Sequence, residues 1–367
     1  MTSSSTGSPN EREQDVVGSG GVDNESNSDP ITVLGAGSWG TALAIQLARA
    51  GCDVLLWGRD AAHLKQMAVD RSNQRYLPDA RFPENLVIAD DWDSAVSGAV
   101  SGAGRILISV PSHAFRSVLE QLGDTLGNNI ASLELAWATK GFELSTGLLP
   151  HQLVKQVLPD CVHYAVVSGP TFALEVGAGL PTAITVAGST EAWSTRMADA
   201  MRTRNFIAYT STDIIGVEIG GAVKNALAIG AGLSDGLGFG ANARIAMINR
   251  GLRELSRLGV AMGAKTETFV GLAGMGDLVL TCTDNQSRNR RMGLALAAGK
   301  SIDEAAEEIG QVVEGVGAAR AVHEQAGRLG VRMPIIEQIY RIVVEGVDPR
   351  DAVEVLLNRE LSAGSEH

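Results

Sequence analysis

The sequence predicts an α/β region built on a mostly parallel sheet, followed by an all-α region. Three observations carry this. Short apolar runs near turn signals alternate with helical stretches from Asp29 onward. A Gly-x-Gly-x-x-Gly turn stands between the first of those runs and the first helix. After about Asp213 the strand patterns fade, and long Ala/Leu/Ile/Gly segments with helical spacing take over. A parallel sheet covered by helices on both faces has strands that read as near-continuous apolar runs, which is the pattern of the first region.

Ile31-Thr32-Val33-Leu34 is a strand ended by Gly35. Residues 39–50 form a helix with Leu43, Leu47 and Ala50 on one face and Gly51 just past its end. Asp53 to Trp57 is a second buried strand, and residues 86–89, 106–110, 133–138, 163–167 and 182–187 are further ones. Residues 71–85, with Pro78 and Pro83, are expected to make an excursion over the sheet. Residues 94–104 are small and polar and are expected to be a loop or a frayed helix end. In the second region, helices are expected at 213–232, 242–259, 287–299, 302–308, 315–329, 334–344 and 350–358.

The 367 residues carry a net charge of −12, of which the first 29 hold −5. That segment, rich in Ser, Gly, Asn and acids, has too few apolar groups to fold and is expected to be a disordered tail. An acidic surface repels nucleic acid and anionic membranes, so neither is expected as a partner. No apolar run reaches the ~18 residues of a membrane helix, and the N-terminus lacks a signal peptide's basic and apolar regions. Cys52, Cys161 and Cys282 are an odd, widely spaced set, which suits free thiols in a reducing cytoplasm. The six histidines show no metal-ligand spacing, so no metal is expected. There is no GxxxxGK[ST] loop and no GxSxG elbow.

The glycine turn reads Gly35-Ala36-Gly37-Ser38-Trp39-Gly40. Following a strand and opening a helix, it has the context of a dinucleotide-binding, Rossmann-like site. The first glycine allows the tight turn, the second lets a pyrophosphate approach the backbone, and the third lets helix and strand pack closely. The helix N-terminus then offers N–H groups and positive potential to phosphates. The second strand ends Trp57-Gly58-Arg59-Asp60. Arg59 can meet a 2′-phosphate bidentately, while Asp60 could serve a ribose hydroxyl, so the expected cofactor is NADP or NAD. The chain thus divides into a tail (1–29), a dinucleotide-binding Rossmann-like region (30–215), a helical substrate region (216–358) and a second tail (359–367).

Lys140 follows a strand end, where an open sheet binds its ligands. On spacing alone a solvated loop lysine is an equal reading. Ser168-Gly169-Pro170-Thr171-Phe172-Ala173 repeats that situation, with hydroxyls around a Gly-Pro turn. Lys224 sits in a helix that is small or apolar almost all round. A buried lysine there is costly unless paired or neutralised, and a lowered pKa suits it to acid–base work; a snorkelling lysine is the other reading. Asp277 follows three glycines and could accept bonds from a polyol or an ammonium, or could cap a helix. Residues 281–291 form the chain's main basic and amide cluster at a helix start, a setting that suits a phosphate.

These motifs, in this order, resemble the soluble, bacterial type of NAD(P)-dependent glycerol-3-phosphate dehydrogenase, from about Ile31 to Asn358. The carrying residues are 35–40, Lys140-Gly141-Phe142-Glu143, 168–173, Val223-Lys224-Asn225, Gly274-Met275-Gly276-Asp277, Ser287-Arg288-Asn289 and Val312-Val313-Glu314-Gly315. The resemblance implies interconversion of dihydroxyacetone phosphate and sn-glycerol 3-phosphate, which starts phospholipid backbones. It implies Lys224 as proton donor and acceptor. It implies substrate contacts at Lys140, Gly169, Thr171, Lys224, Asp277, Ser287, Arg288 and Asn289. Cofactor contacts are implied at Ser38, Trp39, Arg59, Tyr76, Lys140, Ala173, Arg288, Val312 and Glu314, beside Gly35, Gly37 and Gly40. It also implies a homodimer. The acidic N-terminal tail and the small-residue stretch at 94–104 depart from the family pattern. Two other readings stay open: a β-hydroxyacid or ketopantoate reductase of the same plan, and a non-catalytic nucleotide sensor.

Overall fold

The computed structural model describes residues 30–100, 104–353 and 355–356; both expected tails lie outside the described residues. The first part runs β1 (Ile31–Leu34), α1 (Ser38–Arg49), β2 (Val54–Trp57), α2 (Ala61–Asp70), β3 (Ser72–Asn73), β4 (Leu77–Arg81), β5 (Leu86–Ile88), α3 (Trp92–Val100), β6 (Arg105–Ile108), α4 (Ser112–Leu126), β7 (Glu134–Trp137), α5 (Pro150–Val157), β8 (His163–Ser168), α6 (Ala173–Ala178), β9 (Thr182–Gly188), α7 (Glu191–Asp199) and β10 (Phe206–Ser211). The helical part follows: α8 (Ile214–Gly236), α9 (Gly240–Ala261), α10 (Thr266–Val270), a π-helical turn (Leu272–Gly276), α11 (Asp277–Thr283), α12 (Arg288–Ala297), α13 (Ile302–Ile309), α14 (Gly315–Leu329) and α15 (Pro334–Glu345).

Eight strands form one sheet in the order β10-β9-β8-β7-β6-β1-β2-β5. All neighbours are parallel except β8 and β9. The order reverses between β1 and β6, which opens a crevice at their carboxyl ends, the place where such sheets bind ligands. One face buries α1, Val176 of α6 and α7 in a core with Val33, Leu56 and Val167. The other buries α3, α4 and α5 with Ile108, Leu135 and Trp137.

Three parts of the sequence reading are sharpened or corrected. Of the two readings given for 94–104, residues 94–100 take the helical one, as the end of α3 with Ala95 and Val96 buried against the sheet; 101–103 lie outside the described residues. The excursion at 71–85 contains the antiparallel pair β3–β4. Strand β10 was not expected. It is an edge strand whose Phe206 and Ala208 are buried while Ile207 and Tyr209 are about half exposed, so it alternates and makes no continuous apolar run.

Helix α8 organises the second part. Every residue from Gly216 to Leu233 is buried, as expected of a helix apolar all round. It is long and apolar enough to cross a membrane, contrary to the reading of apolar runs above, yet 89% of its apolar window is buried inside the protein. It serves as a core helix. Its start joins the sheet core through Ile214 and Val217, and the remainder packs with α9, α11, α12, α14 and α15. Buried Glu218 ties it to the sheet: Trp137 Nε1 donates to Glu218 Oε1 at 3.1 Å, and the His151 backbone N–H does so at 2.9 Å.

Helices α8 and α12 meet at bare backbone. A Cβ on Gly293 would lie 2.0 Å from the Ile229 carbonyl oxygen, and one on Gly232 would lie 2.0 Å from that of Arg290. Gly293→Ala is therefore expected to destabilise the protein by about 1–3 kcal/mol through overpacking, despite alanine's better helix propensity. A thermal melt checks this; an unchanged midpoint would mean that the crossing can spread at no cost.

Candidate functional site

The glycine turn sits where the sheet order reverses, and its three glycines differ physically. Gly35 has φ +124°, and a Cβ there would lie 2.2 Å from the Ser109 carbonyl oxygen at the end of β6. At Gly40 it would lie 1.8 Å from the Gly35 oxygen, which makes this the close contact of helix on strand. At Gly37 it would meet nothing within 4 Å; that position faces open space at the N-terminus of α1, where no side chain caps the helix. The buried indole Nε1–H of Trp39 has no hydrogen-bond partner among the described residues. A bare helix start, a Cβ-free approach and a spare donor fit a dinucleotide pyrophosphate.

Asn73, unremarked in the sequence, braces this turn. Its amide donates to Ala36 O at 3.0 Å and to Thr41 Oγ1 at 2.8 Å, and its oxygen accepts from the Tyr76 N–H. The β3–β4 excursion thereby carries half-buried Tyr76 to the cofactor side. Arg59 is exposed at the end of β2. Asp60 is otherwise engaged: it caps α2 by accepting from the His63 N–H at 3.1 Å and lies 3.6 Å from Arg75. Arg59 stays exposed beside it.

Across the crevice, Asp277 is wholly buried at the start of α11 and binds two lysines. Lys224 Nζ donates to its Oδ1, and Lys140 Nζ donates to its Oδ2 at 2.9 Å. Lys224 also donates to Thr281 Oγ1 at 3.1 Å, and that hydroxyl donates to the Asp277 carbonyl at 2.6 Å. Thr281 lies one helical turn beyond Asp277, a spacing that could have flagged it. Burial pulls the Lys224 ammonium down to about 8, aided by the Lys140 charge and opposed by Asp277. Burial works against ionising Asp277, but Lys140 and Lys224 outweigh it and hold the carboxyl below its usual range. Lys140 reaches this point by running over Gly221, where a Cβ would lie 3.3 Å from the lysine's Cδ and from Ser168 Oγ. Buried Ser168 Oγ has no hydrogen-bond partner among the described residues.

The basic cluster separates into different tasks. Arg290 turns away, bonding Asp235 at 2.5 Å and also Asn285. Ser287 caps α12 by accepting from the Arg290 N–H. Arg288 is exposed, and Asn289 is buried in a relay. In that relay the Gly315 N–H donates to Asn289 Oδ1, Asn289 Nδ2 donates to Asn225 Oδ1, and Asn225 Nδ2 donates to Glu314 Oε2. Asn225, which the sequence reading left without a role, joins the expected substrate side to the expected cofactor side.

The remaining expected residues are less tightly joined. Thr171 is half-buried with its hydroxyl on Gly169 O at 3.3 Å, Ala173 opens α6, and Val312 is exposed before α14. A Cβ on Gly169 would lie 2.9 Å from Ile184 Cα. Among the described residues, no three His, Cys, Asp or Glu side chains gather as a metal site.

A sheet crevice with a dinucleotide turn on one side and a buried, acid-shifted lysine on the other is the layout of a dinucleotide-dependent oxidoreductase. Comparison with known proteins narrows the class. The family models described as NAD-dependent glycerol-3-phosphate dehydrogenase N-terminus and C-terminus match residues 30–194 and 213–354, and the chain belongs to that family. It is 52% identical over 332 residues to the glycerol-3-phosphate dehydrogenase (NAD(P)+) of Pseudoalteromonas translucida, spanning 90% of this chain and 97% of that one. It is 53% identical over 331 residues to the Aeromonas hydrophila enzyme of the same name, with the same shares of each chain. A crystal structure of glycerol-3-phosphate dehydrogenase from Coxiella burnetii is 44% identical with a TM-score of 0.84, covering 90% of this chain and 99% of that one.

The unequal glycines make a paired expectation. Gly37→Ala should leave the melting midpoint unchanged while weakening NADPH binding, read by nucleotide fluorescence. Gly40→Ala should lower the midpoint itself. The same response from both variants would contradict the division of labour argued here.

Proposed function

We propose that this chain interconverts dihydroxyacetone phosphate and sn-glycerol 3-phosphate, with NADP(H) or NAD(H) as the redox partner. One observation carries the proposal: Lys224 is buried against Asp277 with a second cation beside it, opposite the dinucleotide turn. Residues 35–40, Trp39, Arg59, Tyr76 and the 312–314 segment would hold the dinucleotide, which when bound supplies or accepts the hydride at the carbinol carbon. Lys224 has three donors; two are directed to Asp277 and Thr281, and the third serves the substrate oxygen. In reduction it gives its proton to that oxygen as charge develops there, and in oxidation it takes the proton back. Two ammonium groups around one carboxylate leave a surplus of positive charge, suited to an anionic substrate. Arg288, Asn289 and the N-terminus of α12 would take the phosphate, remote from the reacting carbon, and orient the carbonyl. In the cell this reading makes the protein a source of glycerol phosphate for phospholipid backbones. It also expects a cytoplasmic homodimer; Cys52, Cys161 and Cys282 are buried and in no disulfide among the described residues, which suits a reducing compartment.

A coupled assay with dihydroxyacetone phosphate, run separately with NADH and NADPH, tests the reaction. Reduction of a 2-oxo acid in its place would favour the hydroxyacid-reductase reading. Lys224→Ala should keep cofactor binding and lose about 10²–10⁴-fold in turnover; near-normal turnover would remove Lys224 from the chemistry. The sign of the pH dependence follows from its role. Reduction needs the ammonium form and should fall as pH rises through about 8, whereas oxidation needs the free amine and should rise across the same range.

Arg59→Ala should raise KM for NADPH by roughly tenfold, the worth of a charge-assisted hydrogen bond, and leave NADH nearly unaffected. An equal change for both would reassign Arg59 to the shared part of the dinucleotide.

A further inference from the structure

Lys140 matters to the site only if its ammonium is held on Asp277, and β7 alone does not hold it there. The next residue, Gly141, has φ +103°, so the chain leaves the sheet through a joint that side chains seldom favour. Upstream, Thr139 Oγ1 donates to Val110 O at 2.7 Å. Downstream, the turn is gathered on Glu143, a buried carboxylate to which neither the sequence motif nor the proposed chemistry gives a task.

Arg116 of α4 donates to Glu143 bidentately, Nε to Oε1 at 2.7 Å and Nη2 to Oε2 at 2.8 Å. Thr146 Oγ1 adds a third bond at 2.5 Å. The Glu143 N–H donates to Leu148 O at 2.9 Å, and its carbonyl accepts from the Gly147 N–H at 2.8 Å. The far side of the same turn is fixed to α14, where Gln325 Nε2 donates to Gly147 O at 2.9 Å. Between them Phe142 is buried in the core of the helical part. The turn is thus fastened to α4 beside the sheet and to α14 in the helical part, with Lys140 at its head.

We propose that Glu143 is a positioning residue for the reaction: clamped by Arg116 and Thr146, it fixes the turn that presents Lys140 to Asp277. The proposal rests on the reading of Lys224 as the proton-transfer group. A bidentate pair that is largely buried holds geometry better than an exposed one. The Arg116 bonds, outweighing burial, keep the Glu143 carboxyl below its usual range and so ionised in the clamp.

The consequence reaches Lys224 through charge. The titratable or charged groups facing Lys224 are Asp277 and Cys282 from α11 and Lys140 from this turn. Arg290 and Arg244 act on Cys282 from behind and are paired with Asp235. When the clamp is lost, Lys140 leaves Asp277, Lys224 loses its neighbouring cation, and its proton is held more tightly.

The test is kcat/KM against pH for reduction of dihydroxyacetone phosphate by NADPH, since kcat/KM reports groups of the free enzyme. NADPH affinity and melting midpoint are measured alongside. Glu143→Ala and Arg116→Ala should each lower kcat/KM by about tenfold and move the basic limb up by about one pH unit, as expected for loss of an adjacent cation. NADPH affinity should hold, and the double variant should be no worse than either single one, because both act along one path. Glu143→Gln, which keeps one acceptor for Arg116, should fall between. A limb that stays in place in both single variants overturns the proposal, even if their rates fall, because a structural role alone would lower rate or stability without retuning Lys224. If Glu143→Ala does not fold, Arg116→Ala, on a side chain 27% exposed, decides the matter. Absence of turnover in the unmodified enzyme would sink the functional reading and, with it, the role given to Glu143.

Discussion

The site depends on one buried carboxylate serving two ammonium groups. Asp277 is fully enclosed, and an isolated charge there would cost several kcal/mol or more in lost hydration. Lys224 and Lys140 offset that cost. The arrangement requires three segments to meet closely. The π-helical turn delivers Asp277 by pressing its backbone onto α8: a Cβ on Gly220 would stand 2.2 Å from the Ala273 carbonyl oxygen. The strand-end turn delivers Lys140 over Gly221. The small residues on this face of α8, Gly220 and Gly221, let the π turn and Lys140 come close to the helix.

Charge bookkeeping elsewhere in the molecule sharpens the same point. The chain is strongly acidic as a whole, yet its active crevice is locally cationic. Several other basic side chains are already committed. Arg290 and Arg244 share Asp235, and Arg116 is taken by Glu143. The Lys140–Lys224–Asp277 group keeps a surplus positive charge, and Arg59 and Arg288 stay exposed. An anionic substrate is attracted to a few definite atoms, while the acidic exterior discourages polyanions at large.

Much of this was legible in the sequence because it is local. The glycine turn, the apolar strands and the long helices announce themselves within a few residues, and Lys224 stands out as a charge in a helix with no polar face. What was hidden is long-range or amphipathic. Strand β10 alternates like an edge strand and so lacks the continuous apolar run that marks its neighbours. Nothing within 133–147 shows that Lys140 will meet a carboxylate 137 positions further on. Within the basic cluster, composition alone does not separate Arg288, which stays exposed, from Arg290, which Asp235, 55 positions away, engages. Asn73 gave no signal, and Asn225 and Glu143 entered only as motif members without a task, because single polar residues become informative only when their partners are known.

The same contrast explains why one glycine motif can be read so far and no further. The sequence gives its three glycines separate tasks, and in the structure two are demanded by the protein's own backbone while one faces open space. Gly35 and Gly40 would be needed for this strand–helix junction whatever the crevice held. Gly37 alone reports on a ligand. The dinucleotide reading therefore rests on one position of the motif together with Trp39 and the helix start. The identity of the reaction rests on the lysine–carboxylate group across the crevice, which the motif does not encode. Specificity in this protein is assembled at the meeting of two regions, each of which, taken alone, would describe only a dinucleotide fold or a helical bundle.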